Sequence, residues 1–239
     1  MRLRAHNGFW QLTGLPRVFP ISVYLVDDDG LTLIDTGLPA MAPGVLAAAR
    51  RLGRPIRRIV LTHAHRDHAG ALDRLAAALP RAEVACSARE AAVLGGDLAI
   101  RPGERANATG RLPGRFAPAT TRPTRLVGDG DQLGPLTVVA TPGHTPGHLS
   151  YFHQPSGALF AGDALQTRGG LAVAGDRRPL FPFVAAATWD RAVAVASARK
   201  IAGLPIRHLA TAHGEVLTDP AARLRAAIAR AASQTAADV

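Results

Sequence analysis

The pattern of apolar and polar positions along the chain predicts alternating strands and helices, the arrangement of an α/β protein. Short apolar runs mark the strands, and apolar residues three or four positions apart mark the helices. In the first half, strands are predicted at 21–26, 31–34, 59–62 and 83–86, and helices at 40–52, 67–79 and 88–94. Phe9, Trp10 and Leu12 fall in a short lead to which we assign no element.

Two irregular stretches interrupt this pattern in the second half of the chain. Residues 96–123 and 166–187 lack periodicity, and segments of this length within a folded domain usually shape a binding site. The remaining strands are predicted at 125–127, 136–141, 149–153, 158–161 and 207–212, and the remaining helices at 190–201 and 220–232. We expect residues 233–239 to fray. Because no linker separates two parts, residues 1–239 are predicted to form a single domain.

The stretch HAHRDH at residues 63–68, directly after a predicted strand, is the main candidate for chemistry. Residues two apart in an extended segment point the same way, so His63 and His65 can offer nitrogens to one ion. Asp67 and His68 fall at the start of a helix, where they can face a second ion. A lone histidine is usually an ordinary core or surface residue, but four polar side chains crowded at one strand end need a partner. The sequence therefore predicts a site for two metal ions.

Other side chains that bind metals also follow predicted strands. Asp35 is either a turn residue or an acceptor that orients a ligating histidine. His144 lies in a loop of Gly and Pro that can present its imidazole inward, and His148 competes for that role. Asp163 and His213 each come directly after an apolar run, although a single Asp there is equally an ordinary turn residue. Strand ends that meet at one edge of packed sheets would make one site.

The composition argues against several other classes of function. The formal net charge is +10, but the basic residues are scattered without a run, so we do not expect nucleic acid as a partner. Cys86 is the only cysteine, which rules out an intrachain disulfide. No apolar run resembles a signal peptide or is long enough to span a membrane. We therefore expect a cytoplasmic protein, and its oligomeric state stays open.

Taken in order, these motifs resemble the set found in the metallo-β-lactamase-fold hydrolases. The matching segments are LIDTG at 33–37, HAHRDH at 63–68, TPGHTPGH at 141–148, AGDAL at 161–165 and AHG at 212–214. They cover nearly the whole chain. The resemblance implies an αβ/βα four-layer sandwich, in which two sheets pack face to face, helices lie outside, and the site lies at one edge.

The resemblance also implies a role for each candidate residue. Its pattern assigns seven ligands, which are His63, His65 and His144 for one metal, Asp67, His68 and His213 for the second, and Asp163 as the bridge. The third histidine of the family lies in the PGHT segment, which favours His144 over His148. Two zinc ions are the usual occupants of such a set, and iron or manganese accept the same ligands.

The implied activity is hydrolysis of a small-molecule thioester, lactone or other ester by a hydroxide that bridges the two metals. Asp67 would orient this hydroxide or pass a proton to the leaving group. Asp163 is similar to the bridge of the glyoxalase II and lactonase branches, yet only a short segment follows His213, and Gln166 stands where the lactonases typically have tyrosine. The alternatives are a phosphodiesterase or ribonuclease on the same scaffold, and a mononuclear iron enzyme resembling persulfide dioxygenases.

Overall fold

The computed structural model describes residues 1–237, and its strands form two large sheets and one small ribbon. The first sheet contains, in spatial order, β1 (Arg2–His6), β2 (Phe9–Gly14), β3 (Ile21–Asp27), β4 (Leu31–Ile34), β5 (Ile56–Val60), β6 (Glu83–Cys86) and β7 (Arg125–Leu126). The second contains β8 (Gln132–Leu133), β9 (Leu136–Ala140), β10 (Leu149–His153), β11 (Ala158–Phe160), β14 (His208–Ala210) and β15 (Leu217–Thr218). The ribbon pairs β12 (Leu165–Gln166) with β13 (Ala172–Val173).

The helices lie between these strands in the chain and cover the outer faces of the sheets. They are α1 (Ala42–Arg51), α2 (Arg66–Ala69), α3 (Leu72–Ala78), α4 (Ala88–Leu94), α5 (Phe183–Ala186), α6 (Arg191–Ala202) and α7 (Ala221–Ala237). Asp190 caps α6, since its side chain accepts hydrogen bonds from the amides of Ala192 and Val193. Across residues 1–237, no helix combines the length and the apolar character that crossing a bilayer requires.

Three apolar clusters show how these layers stack. In the first, Ile34 and Val60 from one sheet contact the same core as Tyr151 and Phe160 from the other, so the sheets pack face to face. A second cluster packs the outer face of the first sheet against α1, α3 and α4. The third packs the outer face of the second sheet against α6 and α7. This order of layers is the αβ/βα four-layer sandwich, and the predicted fold class is confirmed.

The short lead before residue 21, to which no element was assigned, contains a hairpin over residues 2–14. Strand β1 pairs with β2 from Arg2 opposite Thr13 to His6 opposite Phe9. Gly8 forms the turn between them with φ at 78°, a conformation that glycine adopts readily. The five residues of β1, RLRAH, alternate polar and apolar, but the run is short. Its Ala5 is exposed, so Leu3 is the apolar residue that packs against the core.

The helix predicted over residues 67–79 is two helices, α2 and α3, separated by two residues. The break has a clear cause in the carbonyl of His68, which accepts hydrogen bonds from the amides of Thr36 (2.7 Å) and Gly37 (3.1 Å). The hydroxyl of Thr36 donates to the same oxygen at 2.7 Å. This carbonyl therefore bonds outside the helix, and α2 is fixed to the segment that follows β4.

Two further expectations about irregular segments need correction. Residues 166–187 include β13 and α5 and are therefore only partly irregular. The final helix continues to Ala237 instead of ending near residue 232, so the expected fraying of 233–237 is wrong, while 238 and 239 lie outside the described residues. Its alanine-rich end favours helix, and the hydroxyls of Ser233 and Thr235 bond to carbonyls of the preceding turn at 2.8 and 2.9 Å.

The two tyrosines of the chain join the sheets in opposite directions. Tyr24 on β3 donates its hydroxyl to the carbonyl of Thr211, just after β14, at 2.6 Å. Tyr151 on β10 donates to the carbonyl of Leu61, just after β5, at 2.7 Å. Both acceptors lie two residues before a histidine of the predicted site. These buried bonds therefore hold the two strand ends that carry those histidines at a fixed separation.

Replacing Tyr151 by Phe should lower the free energy of unfolding by about 1–3 kcal/mol, because the buried Leu61 carbonyl loses its partner. Urea unfolding of the metal-free protein, followed by circular dichroism, measures the change. Thr109→Val is the control, since the Thr109 hydroxyl is exposed and bonds only within its own loop. Equal stabilities for the two variants would show that the tyrosine bond does not join the sheets.

Candidate metal centre

The side chains that the sequence prediction selected lie together at the edge where the two sheets meet. They come from the ends of strands β4, β5, β11 and β14, from α2, and from the loop between β9 and β10. Strands β4 and β5 are parallel neighbours in the first sheet, and β11 and β14 are parallel neighbours in the second. Parallel neighbours end at the same edge of a sheet, and the packing of the two sheets then brings the four ends together.

Three imidazoles form the first group of ligand atoms. His65 Nδ1 lies 3.0 Å from His63 Nε2 and 2.9 Å from His144 Nε2. All three residues are buried. Two nitrogens this close either share a proton or face a common cation. Which of these applies depends on whether the other nitrogen of each ring, the outer nitrogen, already carries the proton.

The outer nitrogens of His65 and His144 carry the protons. His65 Nε2 is 3.0 Å from the carbonyl oxygen of Pro113, which can only accept, so this nitrogen donates. His144 Nδ1 is 3.1 Å from the hydroxyl of Thr188, which itself donates to the carbonyl of Val184 and so accepts from the imidazole. In the neutral rings, both inner nitrogens therefore carry lone pairs that face each other. Such an arrangement is repulsive unless a cation lies between them.

Asp35 orients the imidazoles of His63, through Thr62, and of His68 so that their outer nitrogens also donate to the protein. Its carboxylate accepts from the amide and the hydroxyl of Thr62 at 2.7 and 2.8 Å and from His68 Nδ1 at 2.9 Å. The Thr62 hydroxyl, having donated its proton to Asp35, accepts from His63 Nδ1 at 3.0 Å. The backbone of Asp35 has φ at 59°, in the left-handed region that non-glycine residues rarely adopt and that is common at functional sites. Asp35 thus makes the contacts of a residue that orients His63 and His68.

The second group of ligand atoms comprises Asp67, His68 and His213. His213 donates through Nδ1 to the carbonyl of Pro20 at 2.7 Å, and its Nε2 lies 3.4 Å from Asp67 Oδ2. His68 Nε2 is 4.0 Å from the same carboxylate oxygen. Each of these imidazoles again turns its inner nitrogen toward a shared space.

Asp163 lies between the two groups. Its Oδ2 is 3.4 Å from the Nε2 atoms of His144 and His213 and 3.5 Å from that of His68. Among the described residues, His68 Nε2 and Asp163 Oδ1 are buried and have no hydrogen-bond partner. Buried polar atoms without partners are costly, and nitrogen and carboxylate donors are the ligands that divalent transition metals prefer. The residues present therefore fit metal ions in both groups.

The pKa values of the site differ between the two groups. Burial lowers the pKa of His63, His65 and His144, which favours neutral imidazoles with free lone pairs. Burial also opposes charge on His213, but the carboxylates of Asp163 and Asp67 outweigh it and raise the pKa of His213 to about 10. Without a cation, the second group thus binds protons. A metal ion that enters it must displace them, so its affinity rises with pH.

His148, the competing candidate, makes different contacts from His144. Its Nδ1 is 2.9 Å from the hydroxyl of Thr141, and its Nε2 accepts from the amide of Asp163 at 3.2 Å. Both ring nitrogens are therefore used by the protein. His148 supports the backbone of Asp163, and His144 is the histidine of this loop that faces the other imidazoles.

Glu90 is a functional candidate that sequence reasoning missed, because the pattern SARE at 87–90 indicates only a capping box at the start of a helix. Its side chain is fully buried, and Oε2 accepts from the amide of Ala64, between His63 and His65, at 2.8 Å. Its Oε1 accepts from the Thr145 hydroxyl at 2.7 Å and from the Gly147 amide at 3.2 Å. One carboxylate thus joins the two loops that carry the first group. The feature that reveals its role is the complete burial of the carboxylate, which cannot be predicted from the position of Glu90 in a capping box.

A cavity of about 470 Å³ opens above the two groups of ligand atoms. Its floor includes His65, Asp67, Asp163 and His213. The irregular segments predicted to shape a binding site contribute to its walls, through Gly114 and Arg115 from one and through residues 183–187 from the other. A cavity of this size is suited to a small molecule.

The fold and the strand-end cluster of histidines and aspartates define a class of metal-dependent hydrolases. Residues 16–213 match the family model of the metallo-beta-lactamase superfamily. The chain belongs to this superfamily, as its motifs predicted, and it is a metal-dependent hydrolase.

Curated relatives are similar over different shares of their length. The uncharacterized protein YobT of Bacillus subtilis (strain 168) is 42% identical over 233 residues, which cover 97% of this chain and 99% of YobT. The hydroxyacylglutathione hydrolase of Rhodospirillum rubrum is 34% identical over 175 residues, 72% of this chain and 53% of the relative. The chain thus spans about half the length of that hydrolase.

Solved structures share the fold. The BLEG-1 B3 metallo-beta-lactamase superposes with a TM-score of 0.66 at 27% identity, over 89% of this chain and 95% of that chain. TTHA1623 in a di-iron-bound form superposes with a TM-score of 0.65 at 29% identity, over 87% of this chain and 93% of that chain.

Replacing Glu90 by Ala should lower the free energy of unfolding by about 1–3 kcal/mol, because the buried amides of Ala64 and Gly147 lose their acceptor. Urea unfolding of the metal-free protein measures the change. The control is Glu83→Ala on β6, which removes a partly exposed ion pair with Arg125 and should cost about 1 kcal/mol or less. A Glu90 variant as stable as the control would contradict the joining role of this carboxylate.

Proposed function

We propose that the chain is a dinuclear hydrolase that cleaves a small-molecule carbonyl compound, namely a thioester, a lactone or another ester. The orientation of five imidazole rings is the observation that supports this proposal. Each donates one N–H to an acceptor in the protein and turns its other nitrogen toward a common space, which two carboxylates also face. This is a donor set for two divalent cations.

Each group of ligand atoms would hold one cation, with Asp163 between them. When bound, two such cations supply a water of lowered pKa and polarise a carbonyl oxygen. Asp67 is the most exposed of the donors, with 24% of its side chain accessible against 5% for Asp163 and 2% for His213. Its carboxylate is therefore placed to orient the attacking water or to pass a proton to the leaving group. Zinc is the expected metal, and iron or manganese are the alternatives.

The relatives support a carbonyl substrate in general terms. Hydroxyacylglutathione hydrolases and a metallo-beta-lactamase are both similar to this chain, and each name describes hydrolysis at a carbonyl group. Glutathione is not part of the proposed substrate, because the chain spans only about half the length of the Rhodospirillum rubrum hydroxyacylglutathione hydrolase. Gln166, which stands at the position of the lactonase tyrosine, donates to the carbonyl of Phe181 at 3.2 Å and is buried. Its amide therefore bonds within the protein, and Gln166 is not among the residues that line the cavity.

The two alternatives differ from this proposal in what they require. A phosphodiesterase or ribonuclease would use the same donors, and the net charge of +10 favours an anionic substrate of that kind. A mononuclear iron enzyme would leave Asp67 and His68 without a role, although both lie beside Asp163. A cytoplasmic location and a single domain over 1–239 stay predictions.

Metal analysis and a hydrolysis panel test the proposal together. The wild-type protein should bind two divalent ions per chain and hydrolyse thioesters or lactones. His213→Ala should bind one ion fewer and lose about 100-fold or more in kcat/KM, since it removes a ligand. His208→Ala is the control, because His208 is on the same segment at the opposite end of β14 and is absent from the groups of ligand atoms.

Three results would contradict the proposal. A His213 variant with full metal content and activity would remove the second group from the site. Cleavage of bis(p-nitrophenyl) phosphate without carbonyl hydrolysis would favour the phosphodiesterase. One iron per chain together with oxygen uptake would favour the mononuclear enzyme.

A further inference from the structure

We propose that the substrate carries an anionic group, such as a carboxylate or a phosphate, together with an apolar group, and that the two bind on opposite sides of the reacting carbonyl. This inference rests on the proposed function and specifies its substrate class. It follows from the lining of the cavity, which is apolar beside His213 and carries two arginines beside His65.

The apolar wall begins directly beside the metal centre. The ring of Phe19 lies 5.2 Å from that of His213 and 5.0 Å from that of Phe183. Ile21, Leu38 and Val184 continue the same surface. Phe183 is 54% exposed, which is unusual for a large apolar side chain and leaves its ring available to a ligand. An acyl or alkyl group of several carbons would bury this surface.

Beside His65, the cavity is lined by Arg66 and Arg115. The amide of Arg66 donates to the carbonyl of Arg115 at 2.8 Å, so the two residues lie on paired segments of backbone. Both side chains are exposed and line the cavity. In the part of the chain that the structure describes, neither guanidinium is paired with a carboxylate, whereas Arg58, Arg89 and Arg230 each form such a pair.

The segment that carries Arg115 is held against the site rather than being a free loop. His65 donates to the carbonyl of Pro113, and the backbone of His65 bridges to Phe116 on the other side of Arg115. A Cβ on Gly114 would lie 2.1 Å from His65 Nε2, so only glycine allows this close approach. The position of Arg115 is therefore tied to that of a proposed metal ligand.

The position of these two arginines distinguishes them from the others. Basic residues outnumber acidic ones by 28 to 18, so arginines without a partner are expected elsewhere on the surface. Arg66, however, lies between His65 and Asp67 in the chain. Guanidinium groups bind carboxylates and phosphates through paired hydrogen bonds, and a cation at this place would orient an anionic substrate relative to the reacting atoms. The apolar side chains that line the cavity beside His213 favour a small amphipathic ester over a polyanionic nucleic acid.

Matched substrates test the inference in the metal-loaded enzyme. Two thioesters with the same acyl chain would differ only at the far end of the leaving thiol, which bears a carboxylate in one and a carboxamide in the other, with a phosphate-bearing pair as a second arm. We expect kcat/KM of the wild type to favour the anionic member by about 10-fold to 100-fold. The ratio should decrease at high salt, because the arginines are exposed.

Arg66→Gln and Arg115→Gln, singly and together, should reduce this ratio toward one. Arg223→Gln on α7 is the matched control, because Arg223 is also exposed but lies outside the cavity, and it should keep the wild-type ratio. Phe183→Ala should instead reduce the advantage of long acyl chains over short ones, equally for anionic and neutral members. Calorimetry with amide analogues that are not hydrolysed gives a second readout, in which the anionic analogue should bind more tightly only while both arginines are present.

The outcomes separate this inference from the proposed function. If the wild type hydrolyses both members of a pair equally well, or if the double variant keeps the preference, the anionic subsite is wrong while the hydrolase stands. If the protein cleaves no thioester, lactone or other ester but does cleave phosphodiesters, both proposals fail. A preference for the phosphate-bearing pair over the carboxylate-bearing pair would identify which anion the arginines bind.

Discussion

The structure depends on seven polar side chains, six of them buried and Asp67 partly buried, at the edge where its two sheets meet. Their inward atoms are nitrogen lone pairs and carboxylate oxygens, which repel one another or stay unpaired unless protons or cations occupy the space between them. Other interactions in the fold offset this unfavourable free energy. Apolar cores on both faces of each sheet and the reciprocal hydrogen bonds of Tyr24 and Tyr151 keep the strand ends together.

The outer contacts of the imidazoles explain how a site built from distant segments stays ordered. Asp35 holds His63 and His68, and other acceptors come from the segments around residues 20, 113 and 188. Glu90 joins the loops on which the first group lies. Several separate parts of the fold therefore orient the candidate ligand nitrogens, which is how metal centres set the orientation of their ligands.

Much of this arrangement could be predicted from the sequence, because polar residues that follow apolar runs are visible in it. The strands before His63, Asp163 and His213 were predicted, and their convergence followed from the way strands end at a sheet edge. The contacts that orient the imidazoles were largely missed, since the Pro113 carbonyl and Glu90 are identified only by where the chain folds. Strand β1, which is fixed by its pairing with β2 and by the contacts of Leu3, Arg2 and Arg4, and the extension of α7 were missed for the same reason, as neighbours decide both.

The central claim is that two cations occupy the space between the imidazoles and the carboxylates. Anomalous scattering from crystals of the metal-loaded protein tests it most directly. The account predicts two peaks, one within coordination distance of His63, His65 and His144, and another within that distance of Asp67, His68 and His213. A single peak, peaks elsewhere in the molecule, or none after loading with zinc, iron or manganese would contradict it.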